Sequence, residues 1–305
     1  GAGPRMSPTG PVLILPVAFY YGAGRGGAAA GPEALLQAGL AERLAALGRQ
    51  AVRLPRVPAA SLQADFRSAP GMKHWGRVLG MAEETAAAAA AAADGGFPLI
   101  LGGDHSIAIG TIAGLASRRQ RLGVLWIDAH SDLNTPYTTP SGNLHGMSLA
   151  ACLGFGDPHL AAVGGYSPKL QPERIALVGA RSLDKGEREI IGRLGIACFT
   201  MHDIDRRGMA DVMKEAIAIV SNGSDGVHLS FDIDSVDPGE APGTGTPVRG
   251  GLSYREAHLA MELLHEAGIL TSAELVEVNP RLDSGNRTAR LAVELLASLF
   301  GEKIL

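Results

Sequence analysis

Short apolar runs recur along the chain at Val12–Ala18, Ala51–Pro55, Phe97–Leu101, Arg121–Ile127, Arg174–Val178, Gly195–Thr200, Gly226–Phe231 and Leu270–Val278. Their length, and the glycine, proline or charged residues that bound them, predict buried strands. Between them lie stretches with helical spacing or helix-favouring composition. A helix is predicted from Pro32 to about Gly48, with proline at its first turn. Another covers Met72–Gly95, whose alanine-rich end needs nothing beyond helix propensity. Gly146–Leu153 reads as a short helix, and Met209–Ser221, Tyr254–Ala267 and Arg287–Leu299 as longer ones; Pro158–Pro172 reads as a loop. About eight strands alternating with helices, with no linker or repeat between them, predict one α/β domain over residues 6–305. Its sheet is mostly parallel, with helices on both faces and chemistry at the carboxyl ends of the strands.

Composition narrows the classes. The 305 residues are 46% hydrophobic and 19% charged, values of a globular chain with a sizeable core. A formal net charge of −4 lacks the basic stripe that nucleic-acid binding requires. Cys152 and Cys198 are the only cysteines, so no disulfide framework or four-cysteine zinc site is built within one chain. The apolar run Val12–Tyr21 contains a proline, lacks a basic lead-in and is too short to span a bilayer. These features predict a reduced, cytoplasmic setting with no membrane partner. Gly1–Arg5, ahead of Met6, reads as an appended remnant. The segment YGAGRGGAAAG after the first strand fails the G-x-G-x-x-G template and lacks the following acidic residue, so it reads as a turn rather than a dinucleotide site.

Three strand ends carry metal-ligand chemistry. GGDHS supplies His105, DAHSD supplies Asp128, His130 and Asp132, and SFDID supplies Asp232 and Asp234. Residues two apart in an extended chain point the same way, so each cluster converges on one point. Two glycines permit the turn before His105, with Ser106 as a cap. Four carboxylates and two imidazoles without a thiolate suit manganese-like ions better than structural zinc. Six ligands are too many for one ion with a reactive water and about right for two ions that hold a bridging hydroxide, which implies metal-assisted hydrolysis. His74, His159, His202, His228, His258 and His265 lack such neighbours and read as satisfied core or surface histidines.

The blocks GGDHS, DAHSD, NTPYTTPSGNLHG, SFDIDSVDP, GTGTP and EVNP, in this order over nearly the whole chain, resemble the arginase branch of the ureohydrolase superfamily. The resemblance implies the arginase fold and a Mn(II) pair hydrolysing L-arginine to L-ornithine and urea. It makes His105 and Asp132 ligands of one ion, His130 and Asp234 ligands of the other, and Asp128 and Asp232 bridges. His145 matches the family's proton shuttle, and an imidazole titrates in the range needed to protonate a leaving amine. Glu277 is the candidate to receive the guanidinium through paired N–H bonds; with Asp132 these two form the expected catalytic set. Thr246 matches a position lining the guanidinium end. Asn134, Ser141 and Asn143 offer neutral donors for an α-carboxylate, and Asp184 and Glu187 receive the α-ammonium directly or through water. This set favours arginine over agmatine or guanidinobutyrate, the substrates of related hydrolases, and its completeness speaks against a non-catalytic binding protein. Two departures stand out: Ser131 where many members have threonine, and Ser182 and Lys185 where arginases commonly have aspartate and proline. Arg255 and Glu256 match a pair that bridges subunits, which implies a homotrimer or a homohexamer.

Overall fold

The computed structural model describes residues 10–58 and 64–305. The remnant assigned to Gly1–Arg5 and part of the loop after Pro58 lie outside them. The eight strands are β1 (Val12–Val17), β2 (Ala51–Arg53), β3 (Phe97–Gly102), β4 (Leu122–Ile127), β5 (Ile175–Ala180), β6 (Ala197–Thr200), β7 (Gly226–Asp232) and β8 (Leu270–Val276). They form one sheet in the order β2-β1-β3-β8-β7-β4-β5-β6, every neighbouring pair parallel. The expected mostly parallel sheet is thus wholly parallel among the described strands. Four of its strands, β3, β4, β5 and β7, are buried along their entire length, as a sheet covered on both faces requires.

Alternation along each strand divides the core in two. Ile14, Leu99, Leu101, Leu125, Ile127, Val178, Leu229, Phe231 and Leu275 face one layer, packed by the helices Met209–Ser221, Tyr254–Ala267 and Arg287–Leu299. Leu15, Ile100, Val124, Trp126, Leu177 and Val276 face the other, packed by the helices Trp75–Gly95, Ala108–Ala116 and Ser148–Cys152.

The alanine-rich helix has a packing role that propensity alone leaves out. A Cβ on Gly110 would lie 2.5 Å from the Ala82 carbonyl oxygen, and one on Gly114 2.3 Å from that of Ala86. Glycines on one helix and alanines on the other let the two backbones touch. This helix begins at Trp75 rather than Met72, because His74 has a left-handed φ of 56°. The helix expected over residues 32–48 is two helices, Gly31–Gln37 and Leu40–Ala46, broken where Gly39 has a φ of 96°. Pro158–Pro172 is not wholly loop: Asp157 accepts from the Leu160 N–H and starts a single helical turn, Pro158–Ala161. A helix that the pattern did not reveal, Met201–Arg207, starts from reciprocal bonds between Thr200 and Asp203. Among the described residues no helix is long and apolar enough to cross a membrane.

Candidate metal centre and substrate cavity

β3, β8, β7 and β4 are consecutive in the sheet, so the segments leaving their carboxyl ends meet at one place. His105 follows β3, Asp128 to Asp132 follow β4, Asp232 ends β7 with Asp234 just beyond it, and Glu277 follows β8. The turn after β3 is capped by Asp104 rather than by Ser106: the Asp104 carboxylate accepts from the Ser106 N–H at 2.8 Å and from the Gly22 N–H at 3.0 Å. The glycine-rich segment is therefore a turn, as its spacing predicts, but one pressed onto the site. A Cβ on Gly22 would lie 2.3 Å from Asp104 and from Ser106, and the Gly22 carbonyl accepts from the His145 N–H at 2.9 Å. Close backbone approach, rather than phosphate binding, accounts for that glycine.

The six expected ligands converge. His105, Asp128, Asp132 and Asp232 form one set of mutually close ligand atoms, and Asp128, His130 and Asp234 form a second that shares Asp128; Asp232 falls in the first set only. His105 Nδ1 lies 3.0 Å from Asp128 Oδ2, 3.0 Å from Asp132 Oδ2 and 3.3 Å from Asp232 Oδ2. His130 Nδ1 lies 3.1 Å from Asp234 Oδ2 and 3.4 Å from Asp128 Oδ1. All are buried except His130, which is half-buried.

One imidazole nitrogen carries at most one proton and cannot satisfy three carboxylates. Asp132 Oδ2 is left buried without a hydrogen-bond partner. Burial and the charge on Asp128 push the Asp132 and Asp232 carboxyls well above the usual carboxylate range. Burial acts on Asp128 in the same direction, but His105 and His130 outweigh it and hold that group well below. A hard, oxygen- and imidazole-binding cation fits this donor set, because it replaces the missing protons and removes the repulsion. Asp132 has a φ of 53° and Glu277 one of 74°; for residues with a Cβ such backbone costs about 1–3 kcal/mol and tends to persist where a site needs it.

A cavity of about 110 Å³ opens on the ligands and is lined by fifteen residues that include His105, His130, Asp132, Asp232, Asp234 and Thr246. Its lining also holds Asn134, Ser141, Asn143, His145, Asp184 and Glu187, so most of the expected site residues are brought together. Glu277 lies just behind it, 3% exposed, accepting from the His105 N–H at 2.9 Å and paired at 3.3 Å with His145 Nδ1. Burial alone lowers an imidazole pKa, but the Glu277 charge outweighs it and raises His145 to about 9. His145 in turn holds the Glu277 carboxyl below its ordinary value against the effect of burial. Thr246 donates to Asp234 Oδ2 at 3.0 Å.

Asn134, Asp184 and Ser141 already hold bonds within the chain. Asn134 donates to Asp184 Oδ2 at 2.9 Å and accepts from Thr138, and Ser141 Oγ accepts from the Asn143 N–H at 3.1 Å. Both carboxylate oxygens of Glu187 are taken by the chain: Oε1 by the Asp184 N–H at 2.9 Å, Oε2 by the Ser131 hydroxyl and the Leu133 N–H. Glu187 therefore ties the metal loop to the helix Lys185–Leu194 while lining the cavity.

Several contributors escape a reading by ligand type. Trp126 donates from its indole to Asp128 Oδ2 at 3.1 Å and stacks on His105 with centroids 4.1 Å apart. Arg181 bonds the Asp234, Ser235 and Val248 carbonyls. Ser230 and Glu274 stand behind His105; the alternation of His228, Ser230 and Asp232 in HLSFD is a signal that reveals a polar sheet face.

A family model described as the arginase family matches residues 11–301. An arginase of Bacillus caldovelox is 52% identical over 297 residues, 97% of this chain and 99% of the relative, and one of Brevibacillus brevis is 51% identical over 293 residues, 96% and 98%. The solved native structure of the Bacillus caldovelox arginase superposes with a TM-score of 0.93, covering 97% of this chain and 100% of that one.

Proposed function

The chain belongs to the arginase family, and on that premise we propose that it hydrolyses L-arginine to L-ornithine and urea with two Mn(II) ions. The observation that carries the proposal is the pair of ligand sets joined at Asp128 beside a cavity whose far wall bears amide, hydroxyl and carboxylate groups. His105 and Asp132 would hold one ion and His130 and Asp234 the other, with Asp128 common to both sets and Asp232, which lies in the first set, the second bridge that the resemblance implies. Bound there, such a pair activates water for attack and stabilises the negative charge that attack creates.

The chain's own residues do the rest. Glu277 is the carboxylate offered to the substrate guanidinium, a cation that two dications would otherwise repel. His145, carrying a proton at neutral pH in its pair with Glu277, is positioned to give it to the leaving amine. Asp132 would hold one ion, its carboxylate aimed by a backbone with a φ of 53°, and Thr246 orients Asp234 at the guanidinium end. Asn134, Ser141 and Asn143 receive the α-carboxylate. Asp184 receives the α-ammonium, with Glu187 holding the loop on which that contact depends. The substrate preference lives at this end of the cavity, because a site built to bond a polar group rejects analogues lacking it.

We further propose a homotrimer, or a hexamer of two trimers, in the cytoplasm. Arg255 is exposed at the start of the helix Tyr254–Ala267, paired at 3.9 Å with Glu262, and the unpaired Cys152 and Cys198 support a reducing compartment. Sedimentation of the wild type beside Arg255→Ala tests the assembly; an unchanged monomer in both overturns it. For the reaction, the protein is loaded with Mn(II) and urea release is measured from arginine, agmatine and guanidinobutyrate side by side. Preferred release from arginine is expected; rapid release from agmatine with none from arginine overturns the substrate assignment.

A further inference from the structure

β7 and β8 carry a polar ladder through an otherwise apolar sheet face. Their parallel register sets His228 opposite Ser272, Ser230 opposite Glu274 and Asp232 opposite Val276. On this face the neighbouring strands present Leu15, Ile100, Val124, Trp126 and Leu177. His228, Ser230 and Glu274 have no solvent exposure. They form a chain: Ser272 Oγ lies 2.8 Å from His228 Nδ1, His228 Nε2 3.1 Å from Glu274 Oε1, Ser230 Oγ 2.9 Å from the same Glu274 oxygen, and His105 Nε2 2.7 Å from Ser230 Oγ. The other oxygen, Glu274 Oε2, is buried without a partner. None of these groups except His105 touches the cavity.

The donors and acceptors in this chain fit in one direction. A carboxylate only accepts, so the Ser230 hydroxyl and the His228 ring N–H both donate to Glu274. With its O–H donated to Glu274, Ser230 accepts from His105 Nε2–H. That leaves the lone pair of His105 on Nδ1, the nitrogen that faces Asp128, Asp132 and Asp232. Folding alone does not account for the ladder, since replacing buried, mutually bonded polar groups by apolar residues of similar size is often neutral or stabilising.

We propose that Glu274, held by His228, is a positioning residue that acts through Ser230 to fix the tautomer and ring orientation of the metal ligand His105. The inference rests on the metal-centre reading above. It predicts opposite behaviour of the metal-free fold and of metal affinity, which a purely structural role does not. Outer partners of metal-bound histidines typically contribute about 10–100-fold to affinity.

The test measures Mn(II) stoichiometry and dissociation constants by equilibrium dialysis with metal analysis, and the melting temperature of the metal-free protein. It compares wild type, Ser230→Ala, the pair His228→Leu/Glu274→Leu, and all three substitutions together. The pair is expected to melt no lower than wild type when metal-free, and to bind one of its two ions about 10–100-fold more weakly. Ser230→Ala is expected to show a similar loss, and the triple variant no more than Ser230→Ala alone, because the residues act in series. Glu274→Gln, which keeps an acceptor at the same place, is expected to stay within a few-fold of wild type. Wild-type affinity in the leucine pair or in Ser230→Ala overturns the proposal, as do losses that multiply in the triple variant. If the leucine pair does not fold, Glu274→Met replaces it with the same expectations for affinity. A wild type that binds no Mn(II) overturns the metal-centre reading itself, an outcome separate from any difference between variants.

Discussion

At the metal end of the cavity five of the six ligand residues are buried at or just beyond strand ends, with more negative charge than the chain can neutralise. At the other end Ser141 and Asp184 are exposed and Asn143 is half-buried; Asn134 donates to Asp184, and Ser141 Oγ accepts from the Asn143 backbone N–H. The first arrangement is unstable without a partner and chooses its partner by charge. The second is content without one and chooses by geometry, because a substrate must offer better bonds than the loop already makes. On the proposed reading, chemistry and selectivity are thus divided between a buried, frustrated end and a more exposed one.

The largest test of that division is Asp128→Asn, which weakens the one ligand shared by both sets. Loss of both Mn(II) ions is expected, together with a fall in kcat/KM of at least about a thousandfold, about 4 kcal/mol of transition-state stabilisation. Retention of both ions, measured by metal analysis after dialysis, breaks the view that this end depends on one joined set. Next in size is Glu277→Gln, expected to keep both metals and lose about a hundredfold in kcat/KM for arginine. Near-normal turnover removes Glu277 from its role. The same variant carries a pH prediction for the metal-free protein. Burial lowers the His145 pKa but the Glu277 charge outweighs it, and the folded value of about 9 lies above the ordinary one near 6.5. A raised folded value stabilises fully below the unfolded one and less as pH rises toward 9. The stability margin of wild type over Glu277→Gln, read from urea unfolding, is therefore expected to be a few kcal/mol near pH 6 and to shrink through pH 9.

The same division governs what sequence makes legible. Asp128, His130 and Asp132 announce themselves by residue type at the end of an apolar run, but not by the extended geometry expected. Asp128 and His130 follow β4 in a bend, Asp132 has a φ of 53°, and His130 and Asp132 join different sets. The helices Met209–Ser221, Tyr254–Ala267 and Arg287–Leu299 fall where their apolar spacing puts them. Glu187 does not announce its partners: that its carboxylate holds Ser131 and Leu133 depends on β4 lying beside β5. The break at Gly39 is not legible in the sequence, since glycine occurs inside and outside helices and only the φ of 96° shows that this one interrupts the helix. Met201–Arg207 had a local signal, the Thr200–Asp203 box, in a segment too short for periodicity to register. Glu274 looked like one charged residue in a strand; its meaning lies in the register with Ser230.

At the more exposed end smaller, substrate-dependent effects are expected. Asn143→Ala removes a neutral donor assigned to the α-carboxylate, so KM for arginine should rise about tenfold, the effect of one hydrogen bond to a charged group, with kcat little changed. Agmatine has no carboxylate to lose, and its kinetics should not move. Equal losses on both substrates would sharpen the division in the other direction, making Asn143 a structural member of the loop.

The smallest effect probes how adaptable that end is. A Cβ on Gly24 would lie 2.8 Å from Asn143 Nδ2, the far end of a side chain that has room to turn, and Gly24 does not have the left-handed backbone seen at Gly27. Gly24→Ala is therefore expected to fold and to raise KM for arginine about threefold, roughly 0.7 kcal/mol, by displacing the Asn143 amide. Combined with Asn143→Ala the substitution should do nothing further, since the group it displaces is gone. Additive losses would place the effect in the turn that carries the Gly22 carbonyl to the His145 N–H. The glycine-rich segment would then act on the proton-delivering end of the site rather than on selectivity.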